Sequence, residues 1–127
     1  MAWLRFADSD LRGAQLSLND EDPPVLHICS SCQQAVEKYL KAYLISRGWR
    51  LEKTHSIDYL LKKCTEYDAE FDQFRADLEP FAEYFTEARY PGDLFVEFTL
   101  DEARKAVRVT ERVSEFVHER IPPPSTE

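Results

Sequence analysis

Three side chains that can hold an anion follow one another at Lys53, Thr54 and His55, between two expected helices. An ammonium, a hydroxyl and an imidazole can converge on a phosphate beside a helix N-terminus, where backbone N–H groups point outward. In a structural alternative, Thr54 or Ser56 caps the next helix and His55 hydrogen-bonds to a neighbouring backbone carbonyl. The segment is therefore a candidate phosphate-binding site with a second interpretation open.

The run Arg89-Tyr90-Pro91-Gly92 is a second candidate. A guanidinium binds phosphate oxygens, and a tyrosine ring offers a face on which a base can stack. The structural alternative is a turn at Pro91-Gly92, with Arg89 paired to a nearby carboxylate.

The polar residues of the expected second helix form a third candidate. Glu37 and Lys41 are four residues apart, in the order that favours an ion pair of about 0.3 kcal/mol on an exposed helix. In one interpretation this is a solvated face, and in the other it lines a groove or a dimer contact. The same face carries Gln33, Gln34 and Lys38.

The run Cys29-Ser30-Ser31-Cys32 has the spacing of a metal-binding or redox pair, which His27, His55 or Cys64 could join. It lies inside a helical pattern without a second such pair, whereas structural zinc sites usually combine two pairs in loops. We therefore predict buried packing thiols and no bound metal. The odd count of 3 cysteines favours reduced thiols in a cytosol.

The elements that position these residues are all helical, because apolar residues recur at helical spacing and no stretch alternates with period two. We predict an all-α, up-and-down antiparallel bundle of four main helices plus one short helix. The first helix is expected over about Ala2 to Leu18, with Asp8 facing outward. The second is expected to begin at Pro23-Pro24 and to end near Gly48.

The rest of the chain predicts a short helix capped by Ser56 and a last helix opened by the capping box Thr99 and Glu102. Between them Pro80 interrupts a helical apolar row, so we expect a kink or break near Glu79. That row consists of Phe71, Phe74, Leu78, Phe81 and Phe85.

Composition limits the classes of function. The 127 residues predict one domain, divided into a bundle at 1–121 and a Pro-rich C-terminal tail at 122–127. The net charge of -8 disfavours nonspecific attraction to a polyanion, so any nucleic-acid contact must be local. No signal peptide or membrane-spanning run is recognisable, and we expect a cytoplasmic protein.

Three segments together resemble the HEPN domain family in order and spacing, over Trp3 to about Ile121. They are the run Cys32-Gln33-Gln34-Ala35-Val36-Glu37-Lys38-Tyr39-Leu40-Lys41-Ala42-Tyr43-Leu44, the run Lys53-Thr54-His55 and the run Ala88-Arg89-Tyr90-Pro91. The resemblance implies a small helical bundle associated with nucleotide and RNA chemistry, with no cofactor. It also implies a partner, because such proteins often pair with a minimal nucleotidyltransferase in two-gene, toxin–antitoxin-like systems.

HEPN ribonucleases carry an Arg followed, after about four to six residues, by a His near the start of the last helix. By position Arg89 is the counterpart of that Arg, but no histidine follows through Val96. Arg50 with His55, and Arg112 with His118, fit the spacing formally. The first pair lies in the wrong loop, and the second is turned apart by about 120° along a helix.

Three hypotheses result. The favoured one is a nucleotide- or RNA-binding module, with Arg89, Tyr90, Lys38, Lys41, Lys53, Thr54 and His55 as candidate ligand contacts. The second is a metal-independent ribonuclease, and the third is a structural helical dimer without a nucleic-acid role. We expect a homodimer, because such a bundle often has more apolar face than one copy buries.

Overall fold

The computed structural model describes residues 2–81 and 99–122. Within these ranges the chain is helical and contains no strand. The elements are α1 (Ala2–Leu18), α2 (Val25–Ser46), α3 (Ile57–Tyr67), a 3-10 helix (Ala69–Phe74), α4 (Arg75–Leu78) and α5 (Leu100–Arg120). The predicted all-α bundle is confirmed.

Helix α2 occupies the centre of the bundle and packs against α1, α3 and α5. Its burial is nearly continuous from Ala35 to Leu44, interrupted at the half-buried Lys38. Helix α1 contributes a narrower stripe, in which Ala7 and Ala14 are fully buried. The small side chains at these positions let the α1 backbone approach α2 closely.

Both ends of α2 follow from local chemistry. Pro24 stands at the N-cap, where its missing N–H is not needed. After the last turn Gly48 adopts a φ of 90°, a left-handed conformation that favours glycine because it has no Cβ. The chain thus leaves α2 by a sharp reversal into the loop that carries His55.

An aromatic cluster joins the 3-10 helix to α2 and α5. The ring centroid of Phe71 lies 4.5 Å from that of Tyr43 and 4.8 Å from that of Phe116. Phe74 meets Phe116 edge to face, with centroids 5.1 Å apart. Offset and edge-to-face geometries are those that aromatic quadrupoles favour, so the cluster adds attraction beyond its buried area.

The predicted capping box at the start of α5 is present. The Thr99 hydroxyl accepts from the Glu102 N–H at 3.0 Å, and the Glu102 carboxylate accepts from the Thr99 N–H at 3.1 Å. One face of α5, continued by Ile121 just after its end, is buried as well; it consists of Ala103, Ala106, Val107, Thr110, Val113, Val117 and Ile121. Among the described residues, no helix combines the length and apolarity needed to cross a membrane.

Candidate functional site

A pocket of about 400 Å³ opens on one side of α2. Helical periodicity places the side chains that line it along adjacent turns, and the loop after α2 returns His55 onto the same face. The lining residues are Gln33, Gln34, Glu37, Lys38 and His55.

Within this polar group, Glu37 contacts both Lys41 and His55. Its carboxylate accepts from the Lys41 ammonium at 2.9 Å, and its two oxygens lie 3.1 and 3.2 Å from Nδ1 of His55. Lys41 is only 4% exposed, and its ammonium stands 5.6 Å from the ring centroid of Trp3 on α1. The predicted ion pair therefore forms, but inside the protein.

The solvated-face interpretation is wrong for part of this row. Gln33, Glu37 and Lys41 are buried, whereas Gln34 is exposed and Lys38 half-buried. The physical reason is tertiary: α1 packs along α2, and the start of α1 brings Trp3 over Lys41. The groove interpretation agrees with this geometry.

Lys38 points to the other side of the row, toward α1. Its ammonium donates to the Asp10 carboxylate at 2.7 Å, and both side chains are a quarter exposed. A partly buried pair of this kind resists salt screening better than a fully exposed one. Lys38 thus stands between the pocket and α1.

The loop candidates divide between capping and the pocket. Ser56 is the predicted N-cap of α3, and its hydroxyl accepts from the Tyr59 N–H at 3.2 Å. The Thr54 hydroxyl accepts from the Ser56 N–H at 3.2 Å, while Lys53 is exposed. His55 contacts Glu37 instead of the backbone carbonyl considered above.

Arg89 and Tyr90 lie outside the described residues. The helical rotation argument against the Arg112 and His118 pair agrees with the structure, since the two side chains contact opposite parts of the bundle. Arg112 donates to Asp77 at 2.8 Å, whereas His118 Nε2 lies 2.9 Å from an Asp8 oxygen.

A second polar cluster was missed from the sequence. Asp8, predicted to face outward, accepts a hydrogen bond from the hydroxyl of Tyr39 and contacts His118. Burial, reinforced by the Asp8 bond, raises the pKa of Tyr39 well above its ordinary range. The cluster ties α1, α2 and α5 together through one carboxylate. Only the tertiary approach of α5 to α1 could have revealed it.

The three cysteines are buried and form no disulfide. Within the described ranges, no group of three or more His, Cys, Asp or Glu side chains is arranged to hold a metal ion. Burial raises the pKa of Cys32 from 9.0 to about 11 and raises that of Cys64 further. These thiols therefore stay protonated at neutral pH.

The raised pKa of Cys32 predicts alkaline destabilisation. The unfolded chain loses this proton above pH 9.0 while the folded chain keeps it to about pH 11. The free energy of unfolding should therefore fall across that window, by about 2–3 kcal/mol for a shift of about two units. Urea unfolding at stepped pH measures it. Cys32→Ala should flatten the slope, and identical slopes in both proteins would contradict the prediction.

In a comparison with protein families, residues 1–121 match a model described as HEPN domain. No curated protein and no solved structure matches the chain significantly.

Proposed function

The chain belongs to the HEPN domain family, and from this membership we propose that it is a nucleotide- or RNA-binding interaction module. The family supports a role connected with nucleotides or RNA in general. The proposed site is the pocket lined by Gln33, Gln34, Glu37, Lys38 and His55.

The observation that carries this proposal is the pocket itself. Its volume of about 400 Å³ falls in the range of small-molecule sites, and its polar groups converge from α2 and from the following loop. His55 and the exposed Lys53 supply donors within a chain of net charge -8, while the Lys38 ammonium is paired with Asp10. A local group of donors is the arrangement that an otherwise acidic protein needs in order to bind an anionic ligand.

Binding should weaken when His55 is removed. Its side chain is 87% exposed, so His55→Ala should leave the fold intact while deleting one contact to the ligand. We expect about a tenfold loss in affinity, typical of one hydrogen bond to a charged group. Arg89→Ala should weaken binding more and Lys38→Ala less, and affinity should fall as salt rises. Calorimetry or fluorescence polarisation with AMP, ATP and short RNA measures this.

His27→Ala is the matched control, because His27 is also an exposed histidine and lies outside the pocket. It should bind like the parent protein. Equal losses in His27→Ala and His55→Ala would contradict the assignment to this pocket, and absence of binding to all these ligands would contradict the proposed function.

One observation favours ribonuclease activity as a second candidate. A histidine held by a carboxylate, as His55 is by Glu37, is a common arrangement for acid–base catalysis. Because no histidine lies between Arg89 and Val96, where the family places it, cleavage is expected to be slower by about 10²–10⁴-fold than with a complete acid–base pair. Robust RNA cleavage in EDTA, abolished by His55→Ala, would favour the ribonuclease over the binding module.

Assembly completes the proposal. Phe6 and Leu16 on α1 are 57% and 60% exposed, so one copy leaves these apolar side chains in water and a second copy can bury them. We expect a homodimer, and a nucleotidyltransferase as the partner in a toxin–antitoxin-like pair. Light scattering at micromolar concentration should give twice the mass of one chain. The mass of a single chain would contradict the dimer.

A further inference from the structure

One hydrogen-bond acceptor among the side chains that line the pocket has no donor. Gln33 is 3% exposed and lines the pocket, and its Oε1 is buried without a hydrogen-bond partner among the described residues. A buried carbonyl oxygen without a donor is uncommon in folded proteins, since it loses its water without a replacement. This oxygen is closed to water in the present conformation, so a ligand in the pocket supplies the missing donor once the Gln33 amide turns toward it.

The charged groups beside Gln33 are already matched. The Lys38 ammonium lies 2.7 Å from an Asp10 oxygen, and the Lys41 ammonium lies 2.9 Å from a Glu37 oxygen. Two cations and two carboxylates leave no excess of positive charge from these four residues. Among the buried polar atoms that the structure describes in this pocket, the one without a partner is a neutral amide oxygen, which needs a donor and gains nothing from another acceptor.

From this contrast we infer that the pocket holds the base of a nucleotide, with its edge against the amide of Gln33, and that the phosphates lie outside. The inference rests on the proposed function. A phosphate offers acceptor oxygens, so it would leave the Gln33 oxygen unpaired. A base edge offers an N–H donor next to an acceptor, and a glutamine amide matches both.

The same geometry gives the loop a separate role. Lys53 is exposed two residues before His55, and the phosphates are assigned to this lysine. The expectation that Lys38 and Lys41 bind phosphate is replaced by one in which they shape the pocket and keep Glu37 in place. Recognition of the base is thereby assigned to Gln33, and attraction of the charged phosphates to Lys53.

Calorimetry with adenosine, cytidine, guanosine, uridine, their 5′-monophosphates and ribose 5-phosphate tests this on the unaltered protein. At least one nucleoside should bind within about tenfold of its nucleotide, because the base supplies the contact in the pocket. Ribose 5-phosphate should not displace it. Binding of that nucleoside should depend little on salt, since a nucleoside carries no charge.

Gln33→Leu adds the residue-level test, because leucine keeps the size while removing the amide. Nucleoside affinity should fall about tenfold or more, the loss expected when a base edge faces an apolar side chain. Gln73→Leu, at an exposed position outside the pocket, should change nothing. Thermal unfolding checks that each variant is folded, and the ligand series needs no variant at all.

The outcomes separate the two proposals. Binding of AMP and ribose 5-phosphate without binding of any nucleoside would overturn the base pocket and leave the proposed function standing. Nucleoside binding unchanged in a folded Gln33→Leu protein would also overturn the base pocket. Failure of every nucleoside, nucleotide and short RNA to bind would overturn the proposed function itself.

Discussion

Replacing Glu37 by leucine should lower the free energy of unfolding by about 3–5 kcal/mol, because the buried Lys41 ammonium then has no carboxylate to pair with. Lys41 is 4% exposed, so water cannot take the place of the lost oxygen at 2.9 Å without opening the bundle. Urea unfolding measures the change. A fixed protein concentration keeps any contribution from dimerisation constant.

Two further variants isolate the cause. Glu37→Leu combined with Lys41→Met removes both charges and should recover most of the loss, since buried pairs are often replaceable by apolar side chains of similar size. Glu66→Leu removes a carboxylate from an exposed ion pair, in which Nζ of Lys63 lies 3.5 Å from an oxygen of Glu66. This variant should lower the free energy of unfolding by less than about 1 kcal/mol. A double variant as unstable as Glu37→Leu alone would show that the pair is not the reason.

Phe71→Ala should also cost about 3–5 kcal/mol of unfolding free energy, through lost apolar transfer and the cavity left behind. Phe71 is fully buried between Tyr43 and Phe116, so small shifts of the neighbouring side chains cannot fill the space that its ring leaves. Chemical denaturation of the purified variant gives the number.

Tyr67→Ala is the matched control for this loss, since Tyr67 is also aromatic and is 51% exposed. Its effect should stay within about 0.5 kcal/mol, as for most surface substitutions. A Phe71→Ala protein that unfolds like Tyr67→Ala would mean that the aromatic cluster does not support the bundle.

The long helices could be predicted because their causes are local. The bounds of α1 at Ala2–Leu18 agree with the prediction, and Ser56 and Thr99 cap the helices that they were expected to cap. Each depends on residues within a few positions in the chain. Local hydrogen bonds and a repeating apolar stripe are what a sequence displays directly.

The segment after α3 could not be predicted to the same degree. Helical spacing suggested one continuous apolar helix to a break near Glu79, but Ala69–Phe74 is a 3-10 helix and only Arg75–Leu78 is α-helical before that point. Residues three apart align in both helix types, so the pattern does not distinguish them. A contact with a residue far away in the chain holds the N-cap of the 3-10 helix: Arg120 donates to the Asp68 carboxylate at 2.9 Å.

In the candidate site too, local pairs could be predicted from the sequence and tertiary contacts could not. Glu37 and Lys41 were recognisable as a pair, but their burial depends on α1, and the contact between His55 and Glu37 spans a loop. Gln33 drew attention only as part of a polar row. Its buried oxygen becomes visible once the surrounding helices are in place.

The central position of α2 has a consequence for synthesis on the ribosome. Helix α2 is buried by α1 and α3, but also by α5, which is made after both. Until residues 100–120 have left the exit tunnel, the side of α2 that packs against α5 is exposed to water. Domains generally fold as units during synthesis. This bundle should therefore close only after α5 has been translated, and chaperones that recognise apolar helices would meet it before α5 arrives.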